Sequence, residues 1–216
     1  MAASYLMSIH IPLLQSDPPV LAVLRREDER RLLAVKIGPV RGRRFHEDVM
    51  AYVATIATQI AGIDRTAHIE AHLLFSGQAY GAADVDQLLG GRWPAESYSV
   101  ATVTPGAGEA GLKPRGRTPA PVNRFVVPRA AIISTLNLAY AQPGCLVVAM
   151  AREEAEGLAR QMAVFAERAN RVSTSDPDAV MEHEGEGQVI ALGVGVWHAF
   201  AANAALLQWG LERVDG

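Results

Sequence analysis

The sequence predicts an α/β protein with a mixed sheet and helices on both faces. Three short apolar segments near the amino terminus, joined by tight connections, predict an antiparallel meander. Further along, strand-like runs alternate with segments whose apolar residues recur at helical spacing, which is typical of βα units. The stretch from 125 to 168 shows this most clearly, because two amphipathic helices flank a turn and a short apolar run.

Composition limits the class of protein. Of the 216 residues, 50% are hydrophobic and 20% charged, which suits a packed core. The formal net charge is -3, so no global positive field attracts nucleic acid. No apolar run reaches the roughly 20 residues of a membrane span, and there is no signal-peptide pattern. We therefore expect a cytoplasmic protein with no membrane partner.

The first three strands are predicted at residues 5–14, 20–24 and 32–37. In the first, Ile9 and Ile11 alternate with Ser8 and His10, as in a strand with one buried face. The second is apolar on both sides, which favours the middle of a sheet. A charged hairpin at 25–30 joins it to the third.

A basic turn at 38–44 leads into a helix predicted at 46–61. Further strands are predicted at 66–75 and 98–103, and a short helix is predicted at 82–89 between them. The helix before the fourth strand predicts that this strand lies parallel beside the first. The first helix has one apolar stripe, formed by Val49, Val53, Ile56 and Ile60.

The second half of the chain continues the alternation within one domain that spans residues 1–216. Long loops are predicted at about 104–123 and 170–187, where Pro, Gly and polar residues dominate. An extended segment is predicted to end at Pro128, and a buried strand is predicted at 145–148. A last helix is predicted from 189 to about 208. Its residues Gly193 and Gly195 would let it approach the sheet closely. The inner faces of the two helices between the loops are formed by Ile132, Ile133, Leu136 and Tyr140, and by Ala155, Leu158, Met162 and Phe165.

Five strings, in order along the chain, carry a resemblance: SIHIPLLQSDPPVLAVL, LLFSGQAYG, VVPRAAIISTLNLAYAQPGCLVVA, AREEAEGLARQMAVF and QVIALGVGVWHAF. They resemble the nuclease domain of the large subunit of tailed-phage terminases. In that family a basic residue follows the proline of the third string. The resemblance implies a ribonuclease-H-like fold, in which a three-strand meander is followed by βα units.

The same resemblance implies where a catalytic site would lie. Such nucleases bind two divalent metal ions through carboxylates on the first and fourth strands and the last helix, because magnesium and manganese prefer oxygen ligands. Residue by residue, these positions fall on His10, on Leu74, and near Glu186 and Gly187. We therefore expect no catalytic residue and no metal cofactor. The implied protein is a catalytically degenerate, phage-derived scaffold or interaction subunit with protein partners.

An alternative is an active magnesium- or manganese-dependent nuclease with displaced ligands. The candidate ligands are oxygen- or nitrogen-bearing side chains on the fourth strand, on the first strand and in the second loop, namely Glu70, His72, His10, Glu182, His183, Glu184 and Glu186. The other interpretation is that these side chains face solvent or the core. Other enzyme classes lack their signatures: there is no phosphate-binding loop with its lysine and no dinucleotide fingerprint. The single Cys145 lies in an apolar run and predicts a buried, unreactive thiol.

Local basic clusters are the candidate nucleic-acid contacts. In this interpretation they neutralise backbone phosphates, and in the other they are solvated side chains of polar loops. The residues are Arg41, Arg43 and Arg44 in the first turn, and Lys113, Arg115, Arg117, Arg124 and Arg129 on or beside the first long loop.

If the basic clusters bind a nucleic-acid backbone, affinity for duplex DNA will fall steeply with added salt. Each neutralised phosphate contributes about 0.9 to the slope of log affinity against log salt. The double substitution Arg43→Glu and Arg44→Glu should weaken binding equally for unrelated sequences, measured by fluorescence anisotropy. Lack of binding by the unmodified protein at low salt would refute the nucleic-acid interpretation.

Overall fold

The computed structural model describes residues 4–12, 18–28, 30–40, 45–63, 65, 72–76, 97–104, 111–112, 123–171 and 186–201. These residues form eight strands in one sheet and four helices. The strands are β1 (Ser4–His10), β2 (Val20–Arg26), β3 (Leu32–Pro39), β4 (His72–Ser76), β5 (Ser97–Thr104), β6 (Gly111–Leu112), β7 (Asn123–Pro128) and β8 (Leu146–Val148). The helices are α1 (Phe45–Ile63), α2 (Arg129–Ala141), α3 (Arg152–Arg171) and α4 (Gly187–Ala201).

The first three strands form the predicted antiparallel meander. β1 pairs with β2 along its whole length, and β2 pairs with β3 with a bulge between Val23 and Leu24. The charged hairpin closes where the Glu27 N–H donates to the Arg31 carbonyl, and the Arg25 guanidinium pairs with the Glu27 carboxylate. The short connection between β2 and β3 therefore limits the register in which these two strands can pair.

The remaining strands extend the sheet in both directions. The order is β6-β7-β5-β4-β1-β2-β3-β8, with β4 parallel to β1 as predicted. β5, β7 and β8 run in the same direction as β1, while β2 and β6 run the opposite way. The strands β1, β3, β4 and β5 therefore all end at the same edge of the sheet, at His10, Pro39, Ser76 and Thr104. This edge is here called the carboxyl edge. The adjacent parallel first and fourth strands confirm the predicted ribonuclease-H-like mixed sheet.

Helices cover both faces of the sheet, as predicted. On one face, Met7 and Ile9 of β1 pack in an apolar cluster with α1. The stripe predicted for that helix is buried there, at Val49, Val53, Ile56 and Ile60. On the other face, Leu6 and Leu24 join a second cluster to which α2, α3 and α4 all contribute.

The last helix, α4, is enclosed by its neighbours. Every residue from 189 to 199 is buried, and the helix contacts β1, β2 and β3 as well as α2 and α3. Gly195 faces the sheet, where a Cβ would lie 2.9 Å from Leu24 Cδ1 and 3.0 Å from Ser8 Cβ. Gly193 faces α2 instead, and a Cβ there would overlap the side chain of Ile132. The predicted approach to the sheet is thus made by Gly195, whereas Gly193 permits a helix–helix contact.

Several predicted boundaries and faces need correction. β1 ends at His10 rather than at residue 14, since Pro12 lacks the N–H that a ladder requires. Val147 is 38% exposed because β8 is an edge strand, not a buried one. Tyr140 is 43% exposed, and Ala139 takes the buried position. Part of the predicted loop at 104–123 forms β6, which pairs antiparallel with β7.

Other predicted features lie outside the described residues. They are the short helix at 82–89, residues 66–71 of the fourth strand, most of the loop at 170–187, and the last helix beyond 201. Within the described part of the chain, no helix has both the length and the apolar character needed to cross a bilayer.

The same substitution at two helical glycines should have opposite effects on stability. Gly193→Ala should lower the free energy of unfolding by about 1–3 kcal/mol, because the new methyl group overpacks against Ile132. Gly157→Ala in α3, where a Cβ meets only Arg160 Nη2 at 3.9 Å, should raise it by up to about 1 kcal/mol through helix propensity. Urea denaturation of both variants measures the difference, and equal changes would show that α4 is less closely packed than described.

Candidate functional site at the carboxyl edge of the sheet

Three elements meet where the resemblance places a catalytic site. β1 ends at His10, β4 ends at Ser76, and α4 begins after Glu186. The strand register places Ser76 directly beside His10, whereas Leu74 lies beside Ser8. The fourth-strand position level with His10 is therefore Ser76, not the Leu74 that the sequence match indicates.

His10 packs against the first turn of α4. Its side chain is buried, with 2% of the residue exposed. A Cβ on Gly187 would lie 3.2 Å from His10 Cδ2 and 3.0 Å from Val20 Cγ2. Both distances are short for a carbon contact, so a larger side chain at 187 would displace Val20 or the imidazole. This packing gives a steric reason why glycine occupies a position where the resembling family has an acidic residue.

Glu186 is the N-cap residue of α4 and carries the carboxylate of this site. Its carbonyl accepts a hydrogen bond from the Ile190 N–H at 3.0 Å, which starts the helix. Its side chain is only 4% exposed, and Oε1 accepts a hydrogen bond from Arg168 Nη1 at 2.7 Å. Oε2 lies 2.9 Å from Arg129 Nη2. The positive end of the helix dipole further favours a carboxylate there.

Arg129, the first residue of α2, is almost completely buried, with 1% of its side chain exposed. Its guanidinium carbon lies 5.2 Å from the centroid of the Phe165 ring, a cation–π contact. Nε and Nη2 have no hydrogen-bond partner in the described residues, so the contact with Glu186 is an ion pair without an aligned hydrogen bond. Arg129 would have to leave this ion pair to reach a phosphate, as its predicted nucleic-acid role requires.

The ion cluster of Glu186, Arg129 and Arg168 therefore joins one carboxylate to two guanidiniums. Arg168 is 23% exposed, so solvent screens one of the two positive charges. No group of three or more His, Cys, Asp or Glu side chains that could hold a metal ion occurs among the described residues. The arrangement neutralises a buried carboxylate and leaves an excess of positive charge, which suits the binding of anions more than of cations.

The other predicted nucleic-acid contacts lie apart from this cluster or outside the described chain. Arg124 is the second residue of β7 and pairs with Val100, near the amino end of the strand. Arg129 follows the carboxyl end of the same strand, about 16 Å away at 3.3 Å per residue. Outside the described residues lie Arg41, Arg43, Arg44, Lys113, Arg115 and Arg117.

The register also bears on the alternative metal site. His72 begins β4 beside Ser97, while His10 lies beside Ser76 at the other end of that strand. Four residues of extended chain separate these levels by about 13 Å, too far for two ligands of one ion. Outside the described residues lie Glu70, Glu182, His183 and Glu184.

Sequence reasoning missed Arg168, the residue that hydrogen-bonds Glu186. It lies in a charged run of α3 that resembles a solvated face. A signal was available, because Arg168 follows Phe165 by three residues and so lies beside the apolar stripe that the helix buries.

The thiol prediction agrees with the structure. Cys145 is buried and unpaired by any disulfide, and burial raises the pKa of its thiol. A raised pKa lowers the fraction of thiolate at neutral pH, so Cys145 is a poor nucleophile.

Comparisons with known proteins add little to this site. No protein-family model matches the chain, and no curated protein matches it. Among solved structures, the chain is similar to T. thermophilus RuvC in complex with Holliday junction substrate. The TM-score is 0.37 and the identity 12%, over 94% of this chain and 96% of that chain. At this level the similarity supports no conclusion about the site or its activity.

Removing the buried carboxylate should be much more destabilising than removing an exposed one. Glu186→Ala leaves Arg129 buried without its counter-charge and should lower the free energy of unfolding by about 3–5 kcal/mol. The matched control is Glu156→Ala, which breaks an exposed pair of the same 2.9 Å length with Arg152 and should cost less than about 1 kcal/mol. Denaturant unfolding of both variants provides the comparison. Losses of equal size would mean that the ion cluster is not buried as described.

Proposed function

We propose that this protein is a non-catalytic ribonuclease-H-like domain that serves as a scaffold or interaction subunit in a larger, phage-derived assembly. The observation that carries the proposal is the state of Glu186, a carboxylate at the catalytic position that the resemblance implies. Both of its oxygens contact arginine, so it is committed to the ion cluster. The phage origin and the assembly are supported by the resemblance of the five strings.

Charge opposes two-metal chemistry at this position. A dication bound to Glu186 would lie close to the guanidiniums of Arg129 and Arg168. Like unit charges about 4 Å apart repel by about 4 kcal/mol at an effective dielectric constant of about 20, and a dication doubles that. His10, the residue at the first-strand position, offers a nitrogen ligand that suits zinc or nickel better than magnesium.

Nucleic acid is the partner that the local charges favour. Val40 follows the carboxyl end of β3, and Thr104 is the last residue of β5, so both lie at the carboxyl edge. The segment that carries Arg41, Arg43 and Arg44 therefore leaves the sheet at this edge. Lys113 instead follows β6, which runs antiparallel to β7 and so points towards the opposite edge. A phosphate backbone that runs along the carboxyl edge can reach the first of these two basic segments.

The proposal is tested by incubating the purified protein with supercoiled plasmid and magnesium or manganese. We expect no cleavage, because Glu186 cannot both remain in its ion cluster and hold a metal pair. Gel electrophoresis of the plasmid after increasing times provides the measurement.

The control is the double substitution His10→Ala and Glu186→Ala, with its fold checked by circular dichroism. Metal-dependent cleavage by the unmodified protein that disappears in this variant would refute the proposal and establish an active nuclease with displaced ligands. Cleavage that persists unchanged in the variant would come from a contaminant or from a site built by other candidate ligands, such as Glu70 and Glu182.

A further inference from the structure

Glu186 is held in the way that proteins hold a bound anion. Its carboxylate lies at the amino end of the 15-residue helix α4, where the helix dipole favours negative charge. Two arginines approach it from different helices, Arg129 from the start of α2 and Arg168 from α3. Arginine on a carboxylate uses the same planar donor geometry as arginine on a phosphate.

The N–H donors of the arginines around this carboxylate outnumber the hydrogen bonds that it accepts from them. The side chain of Arg129 is 99% buried, yet Nε and Nη2 have no hydrogen-bond partner in the described residues. Nη2 is nevertheless 2.9 Å from Glu186 Oε2, so it is directed towards the site. Buried donors are rarely left unpaired, because each costs about 1–3 kcal/mol. A second acceptor, or one with more oxygens, would satisfy them.

We propose that Arg129, Arg168 and the amino end of α4 form an oxyanion-binding site that Glu186 fills as an internal ligand, and from which a phosphate-class anion can displace it. The excess positive charge selects an anion over a metal ion or a neutral molecule. A phosphate offers more oxygens than a carboxylate and can accept from Arg129 and Arg168 together. Displacement frees the Glu186 side chain from both arginines. This inference does not depend on the proposed function.

The test removes the internal ligand and supplies anions in solution. Glu186→Ala removes a CH₂–COO⁻ group, which acetate replaces almost atom for atom, while acetamide has the same shape without the charge. We expect 50 mM acetate or phosphate to raise the thermal unfolding midpoint of this variant by roughly 3–5 °C. Acetamide should not raise it. Phosphate stabilises many proteins nonspecifically, so each shift is taken relative to the unmodified protein in the same buffer.

A second substitution identifies the site. In the double variant Glu186→Ala, Arg129→Met, the anion-dependent shift should disappear. An equal shift with acetamide would show that filling space, not charge, stabilises the variant. A shift that survives Arg129→Met would indicate an adventitious ion only. Either result would overturn the proposal.

The affinity for phosphate should differ between the unmodified protein, in which Glu186 fills the site, and the variant, in which the site is empty. Isothermal titration with inorganic phosphate should give a dissociation constant at least roughly tenfold lower for Glu186→Ala than for the unmodified protein, which must first release its own carboxylate. Equal affinities would overturn the proposal. If Glu186→Ala does not fold in chloride buffer, it is refolded in acetate or phosphate. Recovery of circular dichroism in these anions alone supports the proposal, and failure in all of them refutes it.

Discussion

The buried carboxylate of Glu186 links three of the four described helices. It belongs to the N-cap residue of α4, and it contacts Arg129 at the start of α2 and Arg168 near the end of α3. Burying a charge is costly unless it is paired, so each helix end is constrained by the position of the other two. The three helices lie on the same face of the sheet, and the ion cluster fixes them beside the carboxyl ends of the central strands.

The last helix, α4, packs closely against its neighbours. The helix is buried along its length, which requires small residues where it meets its neighbours: Gly187 against His10 and Val20, Gly193 against Ile132, and Gly195 against Ser8. The start of α4 therefore packs directly against the end of β1, through Gly187 and His10. A new acidic side chain at 187 would have to displace Val20 or the His10 imidazole, which disfavours a carboxylate at this position.

The sequence was sufficient for the order and direction of the central strands, but not for the charges at their carboxyl edge. Periodicity identifies the buried stripe of α1 from Val49 to Ile60. The helix between β3 and β4 implies that β4 runs in the same direction as β3, and hence parallel to β1. The buried position of Arg129 could not be predicted from the sequence. A basic residue after Pro128 suggests a surface position, and its partner Glu186 lies 57 residues further along the chain. The sequence also does not determine the register of β4 against β1. For this reason Leu74 was aligned with the position beside His10, which Ser76 occupies.

In this protein the charged side chains at the carboxyl edge, and not the arrangement of the strands, determine which kind of ion is favoured there. The sheet places the ends of β1 and β4 side by side, and the first turn of α4 packs against His10 at the end of β1. Carboxylates at those positions would attract divalent cations. Here the ion cluster consists of one buried carboxylate, one buried guanidinium and one partly exposed guanidinium, which together favour an anion as the ligand. Because an ion cluster attracts or repels a ligand according to its net charge, two arginines contributed by neighbouring helices are enough to favour an anion over a cation at this edge of the sheet.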